Sequence, residues 1–171
     1  RMVHPAGAAC ASRRPPGGLV DLLPVPLQEG SDVVLPQGQV AHGVPLGGNG
    51  VQNGTGDGGN MIFDPPVIKV SKGDTIHFRA VDMSHNSATI NSMIPSGAES
   101  WTGLINQDIS VVLDIEGVYV YQCDPHAMMA MVGVIQVGSA VNINEVKIAA
   151  EEYKSNFMLN TDRLTGYLAQ L

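Results

Sequence analysis

From about residue 51 to residue 138, apolar residues recur at every second position in short bursts broken by turns, a spacing that extended chain uses and helices do not. In residues 75–81, Ile76, Phe78 and Ala80 fall on one side, with His77 and Arg79 on the other. Residues 108–114 alternate in the same way and stop at the turn Glu116-Gly117. Val67-Ile68-Lys69-Val70 runs into a turn at Ser71-Lys72-Gly73-Asp74, and residues 118–121 and 132–137 read as the last two strands. Many short strands without helices between them call for an antiparallel sandwich or a barrel.

After residue 138 the period lengthens to that of a helix. Val146, Ala149 or Ala150, Tyr153 and Phe157 share one face, and Leu164, Tyr167, Leu168 and Leu171 repeat the pattern. The break at Asn160-Thr161-Asp162 offers Asn160 or Thr161 as cap of the second helix. Two amphipathic helices packed on the flank of the sandwich account for residues 139–171 without a ligand. Residues 1–50 keep neither period and are interrupted by Pro15, Pro16, Pro24, Pro26, Pro36 and Pro45. Their nearest approach to a secretory signal, Gly18-Leu19-Val20-Asp21-Leu22-Leu23, is broken by Asp21 and then Pro24. They read as an irregular, flexible leader or a fragment of an upstream region.

Charge and pattern remove several functions. Residues 51–171 carry six Lys/Arg against thirteen Asp/Glu, the wrong balance for neutralising phosphates, so nucleic acid is not the partner. No apolar run is long enough for a membrane-spanning helix. No G-x-S-x-G, H-E-x-x-H or P-loop pattern occurs, and five scattered histidines are too few to build the several metal centres of a self-sufficient redox enzyme.

The chemistry lies between the last two strands, in Tyr121-Gln122-Cys123-Asp124-Pro125-His126-Ala127-Met128-Met129-Ala130-Met131. A turn there aims a thiolate, an imidazole and a thioether at one point. Such soft donors suit copper, and two His with one Cys and a weak axial Met make a blue-copper electron-transfer site. The second histidine must be His4, His42, His77 or His85. His77 lies on the polar side of a strand, and His4 and His42 belong to the leader. His85 follows Val81-Asp82-Met83-Ser84 at a strand's end, on a loop that can present a ligand. Asn86 beside it is placed to hold that loop or to donate to the sulfur. Met128, Met129 and Met131 compete for the axial place. A disulfide from Cys123 to Cys10 would leave the adjacent His and Met unexplained, and zinc has little use for a thioether.

Several segments together resemble the pseudoazurin family of cupredoxins. They are Gly73-Asp74-Thr75, Asp82-Met83-Ser84-His85-Asn86, Met93-Ile94-Pro95-Ser96-Gly97-Ala98-Glu99, Gly117-Val118-Tyr119, Cys123-Asp124-Pro125-His126, and Met131-Val132-Gly133-Val134-Ile135-Gln136-Val137-Gly138. The likeness covers residues 51–171, tail included. It implies a mainly β, Greek-key cupredoxin sandwich over 51–138 with a two-helix C-terminal tail over 139–171. It implies one type 1 copper ion held by His85, Cys123, His126 and Met131. The expected function is that of a periplasmic, monomeric one-electron carrier, not an enzyme. It would dock a redox partner around His126, typically a copper nitrite reductase or another denitrification enzyme. Pro125, Ala127, Met128, Met129 and Ala130 would form the apolar surface around that histidine. One departure stands out: Met83 and Gln122 occupy places where the family commonly carries lysine, so steering of the usual sign is weak. Two other readings are a cupredoxin domain within a larger copper reductase, which the helical tail argues against, and a copper-delivery protein.

Overall fold

The computed structural model describes residues 60–171 together with two strand segments further upstream. The strands are β1 (Val33–Val34), β2 (Val40–Asn49), β3 (Asn60–Phe63), β4 (Val67–Val70), β5 (Thr75–Ala80), β6 (Ala88–Thr89), β7 (Ile109–Val112), β8 (Gly117–Gln122) and β9 (Val132–Val137). Two helices follow, α1 (Ile143–Tyr153) and α2 (Arg163–Leu168). One sheet has the order β1-β2-β5-β7, with β3 also on β2; the other runs β4-β9-β8-β6. This is the expected cupredoxin sandwich with two C-terminal helices.

Two expectations need correction. The sheets are mixed: β2 runs parallel to β5, with Ala41 opposite Thr75, and β4 runs parallel to β9, with Val67 opposite Val134. Strand period alone carries no direction, so an antiparallel reading had no residue to contradict it. Residues 1–50 are also not irregular throughout, since β1 and β2 both lie there. Pro45, Gly43, Gly47 and Gly48 blur any alternation in β2. Pairing with β5 on one edge and β3 on the other supplies the order that local propensity lacks. His4 and Cys10 lie outside the described residues, as does most of the leader.

The two sheets enclose an aromatic core. Tyr121 packs edge-on to Phe63 and Phe78 at centroid distances of 4.7 and 5.0 Å, and Trp101 lies 5.7 Å from Phe78. The ring of Tyr121 lies across Gly133, its register partner on β9, and any Cβ there would strike the ring. On the outer side of the second sheet, Val118, Val120, Val132 and Val134 meet Val146, Ala150, Leu164 and Leu168 of the helices. Strands β8 and β9 are therefore buried on both faces, which is why residues 118–121 and 132–137 read as near-continuous apolar runs. By contrast β7, half-buried on one face and exposed on the other, keeps the alternation.

Asn142 fastens α1 to the start of β8. Its Oδ1 accepts from the Val118 N–H at 2.7 Å, and its Nδ2 donates to the Val118 carbonyl at 3.0 Å. The second helix starts after Asp162, and neither Asn160 nor Thr161 caps it. The Asn160 side chain instead donates to the Met129 carbonyl at 3.2 Å, tying the tail to the Cys–His–Met loop. No helix among the described residues is long and apolar enough to cross a membrane.

Candidate metal centre

The loop from Cys123 to Met131 bridges the adjacent ends of β8 and β9 and is closed by its own backbone. The Cys123 N–H donates to Met131 O at 3.0 Å, and the His126 N–H to Cys123 O at 3.0 Å. Pro125 suits the first turn of the short 3-10 helix, where no N–H is needed. Ala130 then takes a left-handed conformation (φ 54, ψ 42) and sends its N–H back to Ala127 O, turning the chain into β9. The result sets Cys123 beside His126 and ties the backbone of Met131 back to both.

A second loop, between β5 and β6, supplies His85. Its conformation is set by Asn106, whose Oδ1 accepts from the Ser84 N–H at 2.5 Å and whose own N–H donates to His85 O at 2.9 Å. Asn86 clasps the two loops together. Its Nδ2 donates to Gly103 O at 3.0 Å and to Asp124 Oδ2 at 2.9 Å, while its Oδ1 accepts from the Asp124 N–H at 2.8 Å.

The His85, Cys123 and His126 donor atoms all lie within 4.8 Å of one another. Cys123 Sγ is 3.5 Å from His85 Nδ1 and 3.4 Å from His126 Nδ1. Bond lengths of about 2.0 Å to imidazole and about 2.3 Å to thiolate give sulfur–nitrogen edges of about 3.5–3.7 Å at angles between tetrahedral and trigonal. Both sulfur–nitrogen edges thus suit one small ion held between the three donors. Cys123 is a free cysteine, fully buried, and His85 is 3 % exposed. His126 is only half-buried and reaches the surface. Met131 is fully buried in the same core cluster as Cys123.

Burial in this centre favours neutral groups. Burial holds His85 below the usual imidazole range, helped by the nearby His126 and opposed by Asp82. Burial pushes the Cys123 thiol up, against hydrogen bonds from the backbones of Asn86 and His126, and Asp124 adds to the rise. A bound cation reverses this preference: it takes the thiolate and neutral imidazoles and displaces the proton.

Of the other candidates, His77 is bonded to Ser110, Nδ1 to Oγ at 2.6 Å, and is not part of the centre. Met128 and Met129 are 59 % and 38 % exposed. Ala130 is fully buried and so does not belong to the surface around His126, because the left-handed turn points it inward. Three contributors escaped the sequence reading. Asn106 and the Asp124 side chain act through partners distant in sequence. Arg163 donates from Nη1 to Met61 O at 2.9 Å, Ala130 O at 3.0 Å and Met129 O at 3.4 Å, holding the loop from the tail. In sequence it is one arginine at the start of a short helix, and nothing in its spacing marks it.

A model of the copper binding proteins of the plastocyanin/azurin family matches residues 50–138. A Rhizobium leguminosarum bv. viciae relative is 41% identical over 95 residues, 55% of this chain and 62% of that protein, so this chain spans a little under two thirds of it. The pseudoazurin of Methylorubrum extorquens is 37% identical over 117 residues, covering 68% of this chain and 76% of its own. Native pseudoazurin from Hyphomicrobium denitrificans superimposes with a TM-score of 0.65 at 34% identity, over 77% of this chain and 98% of that one. With a buried Cys flanked by two imidazoles on a mixed β-sandwich that carries two helices, the chain belongs to the plastocyanin/azurin family of copper-binding proteins, and within it to the pseudoazurins.

Proposed function

We propose that this chain is a one-electron carrier whose single type 1 copper ion is held by His85, Cys123, His126 and Met131. The observation that carries this reading is the convergence of a buried thiol and two imidazole Nδ1 atoms, 3.4 and 3.5 Å from the sulfur. When bound, copper would supply a Cu(II)/Cu(I) couple, with His85, Cys123, His126 and Met131 as the residues that would hold it. The residues of the chain do the rest. The closed 123–131 loop and the Asn86 clasp hold the donors in one arrangement, so little has to move when the charge changes. The nearby backbones of Asn86 and His126 favour the anionic form of the sulfur. Half-exposed His126 gives an electron a short way out beside Pro125, Met128 and Met129, where a redox protein docks. By its resemblance to pseudoazurins the chain works in the periplasm and passes electrons to a denitrification enzyme such as a copper nitrite reductase.

The test is the visible spectrum after adding Cu(II) to the metal-free protein. The wild type gives an intense thiolate-to-copper band, Cys123→Ser abolishes it, and Met131→Leu shifts it while keeping copper. A folded wild-type chain without that band would overturn the reading.

A further inference from the structure

The docking face of this chain has an unusual charge. Four loops meet at the metal end of the sandwich: 81–86, 103–108, 124–131 and 157–162. Hydrogen bonds join them: Asn106 to His85, Asn86 to Asp124, and the Met158 N–H to Met128 O at 2.8 Å. Among the described residues, eight of the eleven exposed large hydrophobic side chains lie on these loops, with Met83 75 %, Leu104 66 % and Met158 74 % exposed. A patch this contiguous on a protein surface marks an interaction site. Its charged residues are Asp82, Asp108, Asp124 and Asp162, and none of the four loops holds a lysine or arginine. Just outside them, Lys154 is paired with Asp162 at 2.5 Å, and Arg163 is buried with its guanidinium on backbone carbonyls.

We infer that this face docks a redox protein whose own contact surface is apolar at the centre and rimmed by lysine or arginine. This rests on the electron-carrier reading above. Apolar contact supplies affinity, while the aspartates supply steering and choice of partner. An acid-rimmed partner would be repelled, as would a second copy of this face or an anionic lipid surface. Where a lysine-ringed carrier selects an acidic reductase, this chain selects the opposite sign.

The test uses the copper-loaded chain in its reduced form and a lysine-rimmed c-type ferricytochrome, either native or with its lysines succinylated to reverse their charge. The native cytochrome is reduced faster at low salt, with a rate that falls about tenfold or more as salt approaches 0.5 M, and the succinylated form loses that advantage. Asp82→Lys and, independently, Met83→Lys each slow the native reaction about threefold at low salt without altering the visible spectrum. Asp114→Lys, beyond β7 at the opposite end of the sandwich, changes it less. Backbone amide shifts of the metal-free chain, titrated with the native cytochrome, move at Met83, Leu104, Met128 and Met158. A rate that rises with salt, equal responses to Asp82→Lys and Asp114→Lys, or shifts confined to another face would each overturn the inference. Failure of the copper reading shows separately, as a missing visible band, and leaves the amide titration valid.

Discussion

Replacing Asn86 with alanine removes the clasp between the loop of His85 and the loop of Cys123. Three hydrogen bonds go: those to Gly103 O and Asp124 Oδ2, and the one accepted from the Asp124 N–H. Each contributes about 1 kcal/mol net, and a partner left dry costs about 1 kcal/mol more. Asn86 is 3 % exposed, so water does not readily replace it at Gly103 O or the Asp124 N–H. The loss comes to about 5 kcal/mol. With an unfolding entropy of about 2.1 cal/mol/K per residue over about 110 ordered residues, Tm falls by roughly 20 °C. Asp124→Ala is the internal comparison. It removes only the side-chain bonds from Asn86 and from Gln122 Nε2, the latter at 3.1 Å, and keeps the backbone N–H on Asn86. Its cost is about 1–2 kcal/mol, or about 5 °C. Thermal and urea unfolding of the metal-free protein measure both. The reasoning fails if Asn86→Ala stays within about 1 kcal/mol of wild type, or if Asp124→Ala equals it.

Other perturbations test other parts of the structure. The Tyr121 hydroxyl is buried with no hydrogen-bond partner among the described residues, so Tyr121→Phe should leave the urea midpoint unchanged or raise it by up to about 1 kcal/mol equivalent. Gly133→Ala drives a methyl into the same ring and should destabilise by about 2–3 kcal/mol; a neutral result would mean the ring has room to move. Arg163→Met removes three hydrogen bonds, leaving Met129 O to the Asn160 side chain and Ala130 O to the Val132 N–H, and should cost about 3 kcal/mol and speed amide exchange at Met131 and Met158 before exchange in β5 rises. Tyr119, Tyr121 and Tyr153 are all held above the usual phenol range, chiefly by burial. The unfolded chain therefore deprotonates first, so stability present below about pH 10 is lost progressively above it. Urea midpoints that stay flat through that rise in pH would refute this, and Tyr121→Phe should lessen the slope.

What could be read from the sequence follows from how local each feature is. Strand β9 matches residues 132–137 because a buried strand between a glycine-bearing turn and a loop declares itself by composition. Cys123 and His126 lie three residues apart, so bringing them together needed only a turn, and the structure supplies one. His85 was reachable by eliminating the other histidines. Partners across the fold were not legible: Asn142 with Val118, Asn86 with Asp124 and Arg163 with Ala130 are pairings of ordinary polar residues far apart in the chain. Strand β2 was hidden for a related reason. With Pro45 and three glycines its order comes from neighbours on both edges rather than from its own residues.

The parallel pairing of β4 with β9 also has a consequence for timing. Parallel neighbours cannot be joined by a tight turn, and a pair this distant in sequence closes late. During synthesis Cys123 and His126 emerge from the ribosome before β9 does, and before the helix bearing Arg163 can reach the loop. At that moment the chain offers a loose thiol and a loose imidazole, open to any soft metal or oxidant. The ordered donor set is a property of the finished polypeptide alone, so selective loading with copper has to follow completion of the chain.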